Sequence, residues 1–375
     1  MTDEVFRRLA RHLDELPGGF PATESGVELR ILRRLFTPEE AGLALHLTLL
    51  AEPARVVAHR AGMESETAEA RLYAMSRKGL IYRLYKGEEP HYMAAQFVIG
   101  IWEFHVNDLD PDLIRDVNEY LPHLMDPDTW KRAPQLRTIP VHVEVPVSHD
   151  ILPHEEAKAL VQGRRRYAVA PCICRKEHQL VGEGCDRPLE TCLVFDRAAD
   201  YYMENGIGRE IDLDETLRIL RQADEAGLVL QPSGAQKISN ICCCCGDCCQ
   251  VLLAFKRHPE PASLVSSPFL VAYEPDLCSL CGTCVDRCQM SALDLAEEDD
   301  EVSVDLTKCI GCGLCVTTCP DGALTLERKP PDQQPRVPVS QARAYLKLAR
   351  ERGKMGMGDV TLMALRSARD RFSSR

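Results

Sequence analysis

All 18 cysteines of this chain fall between Cys172 and Cys319, with none on either side of that window. Cysteine makes up about 12% of it, a density typical of disulfide scaffolds and metal proteins. Met1-Thr2-Asp3-Glu4-Val5 is acidic and lacks the apolar run of a secretory signal. The longest apolar-looking stretch, Ala41 to Ala51, contains His46 and is too short to span a bilayer. A cytoplasmic chain without a transmembrane segment is expected, and there thiols stay reduced. The cysteines therefore read as metal ligands. The 375 residues allow two or three domains, and 45% hydrophobic content is ample for their cores.

Charge is uneven around a formal net of −12. Ala272 to Glu327 carries 12 acids and 2 bases, and Arg328 to Arg375 carries 12 bases and 4 acids. An acidic body disfavours bulk nucleic-acid binding. The basic tail is expected to lie on the acidic segment before it, with a redox partner as the alternative acceptor.

The strongest pattern is Cys278-x2-Cys281-x2-Cys284-x3-Cys288, repeated as Cys309-x2-Cys312-x2-Cys315-x3-Cys319-Pro320. Such a loop wraps three thiolates around one corner of a cubane and leaves the fourth iron for a distant ligand. The stretch from about Val271 to Leu326 resembles the bacterial-type 2[4Fe-4S] ferredoxin domain. The resemblance implies one cluster on Cys278, Cys281, Cys284 and Cys319, and another on Cys309, Cys312, Cys315 and Cys288. Leu293 to Leu295 and Val302 to Leu306 read as two short strands around the acidic turn Glu297 to Glu301. Gln289 departs from the family pattern, in which a proline often follows the fourth cysteine.

Ten cysteines remain upstream. Cys172, Cys174, Cys185 and Cys192 sit on what reads as a loop, punctuated by Pro171, Gly182, Gly184 and Pro188. Four thiols there suit a third iron–sulfur cluster, with zinc as the rival, and His178 reads as a surface residue. The other six fill Cys242 to Cys249, where Cys242, Cys245 and Cys248 repeat the three-ligand spacing. A fourth cluster there would take Cys249, or Cys244, as its last ligand. Cys244-Cys245-Gly246 also resembles the CCG motif of heterodisulfide-reductase-type subunits, which hold non-cubane clusters. Between the sets, Asp196 to Glu204 reads as helix, and Asp214 as the cap of a helix from Glu215 to Ala226, stopped by Gly227. Residues 164–270 as a whole resemble a module of ferredoxin-like proteins from bacteria and archaea, which implies electron transfer and no particular substrate.

In the cysteine-free part, Thr37-Pro38-Glu39-Glu40 is a capping box opening a helix to about Leu50. Pro53 to Arg60 and Glu64 to Lys78 read as further helices, the latter with Ala68, Leu72 and Met75 on one face. Leu80 to Leu84 and His91 to Phe97 read as strands. Residues 26–101 thus resemble the winged-helix fold of MarR-like regulators. Glu64, Glu66, Glu69, Glu88 and Glu89 would face phosphates, so docking or homo-oligomerisation is expected there rather than DNA binding. From Trp102 to Gln162, repeated prolines suggest a connector, with an exposed strand at Val141, Val143 and Val145 alternating with His142 and Glu144. In the tail, Ala342, Tyr345, Leu346 and Ala349 share one helical face, and a second helix is expected from Asp359.

The expected architecture is α+β and multidomain. It has a winged helix (1–101), a connector (102–163), an irregular and helical Cys-rich module (164–270), a two-cluster ferredoxin domain (271–327) and basic C-terminal helices (328–375). The expected function is electron transfer, as an oxidoreductase subunit serving a partner redox protein. The alternatives are a redox-sensing regulator and a reductase with a substrate-binding cluster in 242–249. No P-loop, G-x-G-x-x-G or nucleophile-elbow motif is present. Acidic surroundings favour the oxidised cluster, so a redox titration should place the ferredoxin midpoints well below about 0 mV.

Overall fold

Local chemistry sets where the helices begin. Thr37 Oγ1 accepts from the Glu40 N–H at 3.2 Å, and Glu40 accepts from the Thr37 N–H at 2.9 Å, with Pro38 in the first turn. The computed structural model describes residues 2–141, 152, 155–295 and 301–374. The strand expected through His142 to Val145, and the acidic turn apart from Glu301, lie outside these residues. The chain forms two units, Met1–Asp126 with Asp200–Gly208 and Tyr345–Arg375, and Pro127–Ala199 with Arg209–Ala344.

In the first unit the capped helix is short, Pro38–Ala44, and does not reach Leu50. The chain turns away because the Thr48 carbonyl accepts from the Ala94 N–H at 2.8 Å, tying this segment to a sheet. Helices Ala54–Ala61 and Ser65–Arg77 follow, and Ala68, Leu72 and Met75 are buried. Strands β1 (Glu52–Pro53), β2 (Ile81–Lys86) and β3 (Glu89–Ala94) form an antiparallel sheet in the order β1-β3-β2.

Among the described residues of the first unit, the long helices Thr2–Asp14, Val27–Leu35 and Pro111–Leu124 escaped the sequence reading. The last corrects the connector. Asp110 Oδ1 accepts from the N–H groups of Asp112 and Leu113, both at 3.0 Å, and Pro111 follows at the first helical position. Pro111 and Pro127 are thus helix starts rather than breaks, the second opening Pro127–Arg132, while Pro122 lies inside the first of these helices. Arg30 joins Val27–Leu35 to Pro111–Leu124 through Asp116 at 3.3 Å and Glu119 at 2.6 Å.

The tail forms helices Gln341–Glu351 and Met357–Ser373. From Tyr345 onward it belongs to the first unit and not to the acidic ferredoxin segment. Specific ion pairs, rather than a diffuse acidic field, hold it there. Asp14 binds Arg352 at 2.9 Å and Lys354 at 2.6 Å. Arg60 binds the fully buried Glu52 at 2.6 Å and Asp370 at 2.7 Å. Two specific, partly dry pairs outweigh many screened surface charges.

The second unit is built on a sheet that the sequence reading did not foresee. Strands β4 (Tyr167–Pro171), β5 (Glu190–Phe195), β6 (Arg209–Ile211), β7 (Val229–Pro232) and β8 (Asn240–Cys244) run in the order β6-β4-β5-β8-β7. All neighbours are antiparallel. The expected loop after Cys172 holds helix Ile173–Leu180, which ends before Gly182 in the left-handed region (φ 80°). Helix Arg197–Glu204 follows in sequence, belonging to the first unit from Asp200 onward, and Leu213–Glu225 is the next helix of the second unit. Asp212, and not Asp214, caps Leu213–Glu225 by accepting from the Glu215 N–H at 2.7 Å. Strands β9 (Phe269–Tyr273) and β12 (Leu324–Arg328) pair, as do β10 (Leu293–Leu295) and β11 (Val302–Val304).

Burial alone would raise the Asp14 carboxyl, but hydrogen bonds from Lys354, the Phe20 N–H and Arg352 outweigh it and hold the pKa below the usual value. This contribution is present above the unfolded pKa and disappears as pH falls through the folded one. Asp14→Asn should therefore cost about 1–2 kcal/mol at neutral pH. In urea titrations the difference from wild type should vanish in acid, and limited proteolysis should cut the variant first near residue 345.

Candidate metal centres

Two cavities occupy the ferredoxin segment. One, of about 350 Å³, is lined by Cys278, Cys281, Cys284 and Cys319 together with Tyr273, Val302 and Leu324. The other, of about 400 Å³, is lined by Cys288, Cys309, Cys312 and Cys315 together with Val271, Leu293 and Leu326. Each three-cysteine loop thus faces the fourth cysteine of the other motif. The crossing follows from the β9–β12 pairing, which folds the end of the second motif back beside the start of the first.

The loops are shaped to turn N–H groups toward sulfur. Leu280 (φ 58°) and Gly282 (φ 74°) take left-handed backbone in the first loop, Gly311 (φ 65°) and Gly313 (φ 78°) in the second. Leu280 N–H donates to Cys278 Sγ at 3.4 Å and Ala292 N–H to Cys288 Sγ at 3.1 Å. A side chain on Gly311 would collide with the Phe269 carbonyl, so only glycine fits between the loop and β9. The cavities differ in access. Cys281 is exposed, whereas burial pushes the Cys312 thiol up to about 12. Four thiols around an apolar hollow, with N–H donors on the sulfurs, fit a cubane in each.

Upstream, the structure regroups the cysteines. Cys185 leaves Cys172, Cys174 and Cys192 and joins Cys245 and Cys248, all three sulfurs lying within 4.8 Å of one another. Six others form a continuous series of thiol contacts. Cys172 meets Cys174, Cys174 meets Cys249, Cys249 meets Cys244, Cys244 meets Cys242, and Cys242 meets Cys192. Strand alternation is the reason. Cys242 and Cys244 share a face of β8, and Cys192 is the cross-strand partner of Cys242 on β5. Cys243 points the other way, is fully buried, and burial raises its thiol pKa. The spacing Cys242-x2-Cys245-x2-Cys248 therefore does not form one ligand set, because Cys242 lies on the strand and the other two beyond its end. His178 is half-buried, its Nδ1 2.8 Å from the Cys174 carbonyl.

Between the two thiol groups lies Arg175, with no exposed surface. Its Nη1 donates to the Cys243 carbonyl at 3.0 Å and approaches Cys245 Sγ at 3.8 Å, while Nη2 donates to Thr191. Glu177 is equally buried, and burial lifts its pKa to about 8, so it is largely neutral near pH 7. The groups whose charge would offset this guanidinium are the Cys172, Cys245 and Cys244 sulfurs, and thiolate is the form in which cysteine binds metal.

One further contact joins the two cysteine regions. Gln289 is buried, and its Oε1 accepts from the Gly246 N–H at 2.7 Å. A side chain on Gly246 would strike the Gln289 carbonyl, so the loop holding Cys245 and Cys248 touches the loop holding Cys288 through glycine backbone. Sequence spacing gave no sign of the roles of Arg175, Glu177 or Gln289. A charged residue between two cysteines of a dense cluster was the one available hint for Arg175.

Residues 270–320 match the family model of the 4Fe-4S dicluster domain. That assignment implies two [4Fe-4S] clusters, which the two four-thiol cavities accommodate. No significant match was found among curated proteins or among solved structures. None of the described helices is long and apolar enough to cross a membrane.

The crossed arrangement has a non-additive signature. Cys281→Ser and Cys319→Ser act on one cavity, so the double variant should lose no more than the about four iron atoms of a single cluster. Cys312→Ser with Cys319→Ser should lose about eight. Iron analysis of anaerobically purified protein checks both.

Proposed function

We propose that this protein is an iron–sulfur electron-transfer subunit that exchanges single electrons with a partner redox enzyme. The pair of four-thiol cavities sharing one hydrophobic core carries this reading. A cubane held by four thiolates has no open coordination position, so it supplies outer-sphere electron transfer rather than bond chemistry. Cys284 and Cys315 are both buried in that core, which keeps the two cavities adjacent. Cys281 is exposed beside Ser279 and Asp321, which makes this end the point of exchange with a partner. Surrounding acids select a partner with a basic face.

The six-thiol group of Cys172, Cys174, Cys192, Cys242, Cys244 and Cys249 supports a third iron–sulfur site, with Gln231 and Asn240 amides 3.8 and 3.6 Å from its sulfurs. In the first unit, the helices followed by the β1-β3-β2 sheet support a winged-helix reading. The helix Ser65–Arg77 exposes Glu66 and Glu69, and Lys78 is paired with Glu40. That face suits a protein scaffold better than a phosphate backbone. The basic tail, folded onto this unit through Asp14, Glu52 and Asp370, is part of the same scaffold.

Photoreduction under anaerobic conditions should load about one electron per cluster reversibly, followed by EPR. Reoxidation by a basic one-electron acceptor protein should slow as ionic strength rises from about 10 to about 200 mM, over which the screening length falls from about 30 Å to below about 8 Å. Clusters that do not cycle, or a rate insensitive to salt, would count against the relay and its acidic docking face respectively.

A further inference from the structure

In the group formed by Cys185, Cys245 and Cys248 all three sulfurs approach one another, rather than meeting in successive pairs. Cys185 and Cys245 sulfurs lie 3.8 Å apart, and Cys248 and Cys185 sulfurs 3.7 Å apart. A tetrahedral ion with metal–sulfur bonds of about 2.3 Å places its sulfurs about 3.8 Å from one another. A cubane instead takes one thiolate per iron at the corners of a larger core. Among the described residues, no other three cysteines approach one another so closely, including those of the ferredoxin loops.

The backbone supports the same geometry. Cys245-Gly246-Asp247-Cys248 is a tight C-x2-C turn in which the Cys248 N–H reaches the Cys245 sulfur. The Cys185 N–H reaches the Cys248 sulfur, and the Arg187 N–H reaches the Cys185 sulfur. Each sulfur thus accepts a backbone N–H while the three converge on one point. Two guanidiniums offset the charge of a thiolate set. Arg175 lies against Cys245, and the Arg187 side chain hydrogen-bonds Cys185. Cys245 and Cys248 are buried and Cys185 is half-buried, so the point of convergence opens only on the Cys185 side. Among the described residues, no fourth His, Cys, Asp or Glu completes the set.

We infer that Cys185, Cys245 and Cys248 bind one mononuclear divalent ion of the zinc class, separate from the iron–sulfur clusters, with a small exogenous ligand such as water in the fourth position. Three thiolates select a soft, tetrahedral ion over magnesium, calcium or manganese. The site does not depend on the electron-transfer reading, because none of its ligands lines either ferredoxin cavity.

The test uses the full chain, purified anaerobically from medium containing both iron and zinc. Elemental analysis should give about one zinc per chain in addition to cluster iron, and zinc-edge X-ray absorption should show three sulfurs at about 2.3 Å. Cys248→Ser should lose the zinc and keep the iron, while Cys243→Ala, whose thiol points to the opposite face of the strand, should keep both. Cobalt(II) in place of zinc should give a thiolate charge-transfer band that added cyanide shifts. Absence of zinc from wild-type protein would overturn the inference, and so would a four-sulfur first shell. Loss of about four iron atoms in Cys248→Ser would assign these cysteines to a cluster instead. Wild-type X-ray absorption decides the matter even where a variant fails to fold. Failure of the electron-transfer reading would appear separately, as ferredoxin clusters that do not cycle.

Discussion

Charge neutralisation around sulfur is the constraint on which the second unit depends. A guanidinium without exposed surface is tolerable only where anions accompany it into the interior. Burial raises the Glu177 carboxyl pKa to about 8, and the charges that bear on Arg175 are those of Cys172, Cys245 and Cys244. Thiolates at Cys172, Cys244 and Cys245 would fill the role at the proposed metal sites, and they in turn would need the cation. The packing of Arg175, the β5–β8 pairing and the metal sites are therefore one problem with one solution. In a protein stripped of metal, the interior would keep a cation whose partners had become neutral thiols, and folding and metal loading are linked on that account.

The ferredoxin segment was legible because its ligands are encoded by spacing along the chain. A C-x2-C-x2-C loop leaves little freedom, and the fourth ligand follows once the two motifs are seen as a pair. The upstream cysteines were not legible in this way. There the thiol groups are assembled across strands, and whether two thiols meet depends on which face of β8 each occupies and on the register with β5. Counting residues from Cys242 to Cys248 crosses the end of a strand, where helical or loop periodicity no longer applies. Cys185 illustrates the point. It is only seven residues from Cys192, yet Cys192 is carried off by the strand to the six-thiol group while Cys185 meets Cys245 and Cys248.

The remaining differences have equally local causes. Asp-Pro pairs were read as interruptions, but Asp110-Pro111 is a cap followed by a first-turn proline. Capping distinguished Asp212 from Asp214 by which carboxylate could reach the Glu215 N–H. The tail's amphipathic character was visible. Its destination was not, because Asp14 with Arg352 and Arg60 with Asp370 pair across 338 and 310 positions of sequence.

The contact of Gly246 with Gln289 bears on how such a protein can change over time. Ferredoxin domains are commonly thought of as interchangeable cassettes joined to other modules by linkers. Here the loop after Cys288 and the turn between Cys245 and Cys248 touch backbone to backbone, and Arg287 reaches Asp224 at 2.8 Å and Thr317 Oγ1 reaches the same carboxylate at 3.0 Å. A transplanted ferredoxin domain with the usual proline at position 289 would have no amide oxygen for Gly246 and would leave that N–H without an acceptor. A change in the loop after Cys288 would therefore be felt at the turn between Cys245 and Cys248, and the reverse.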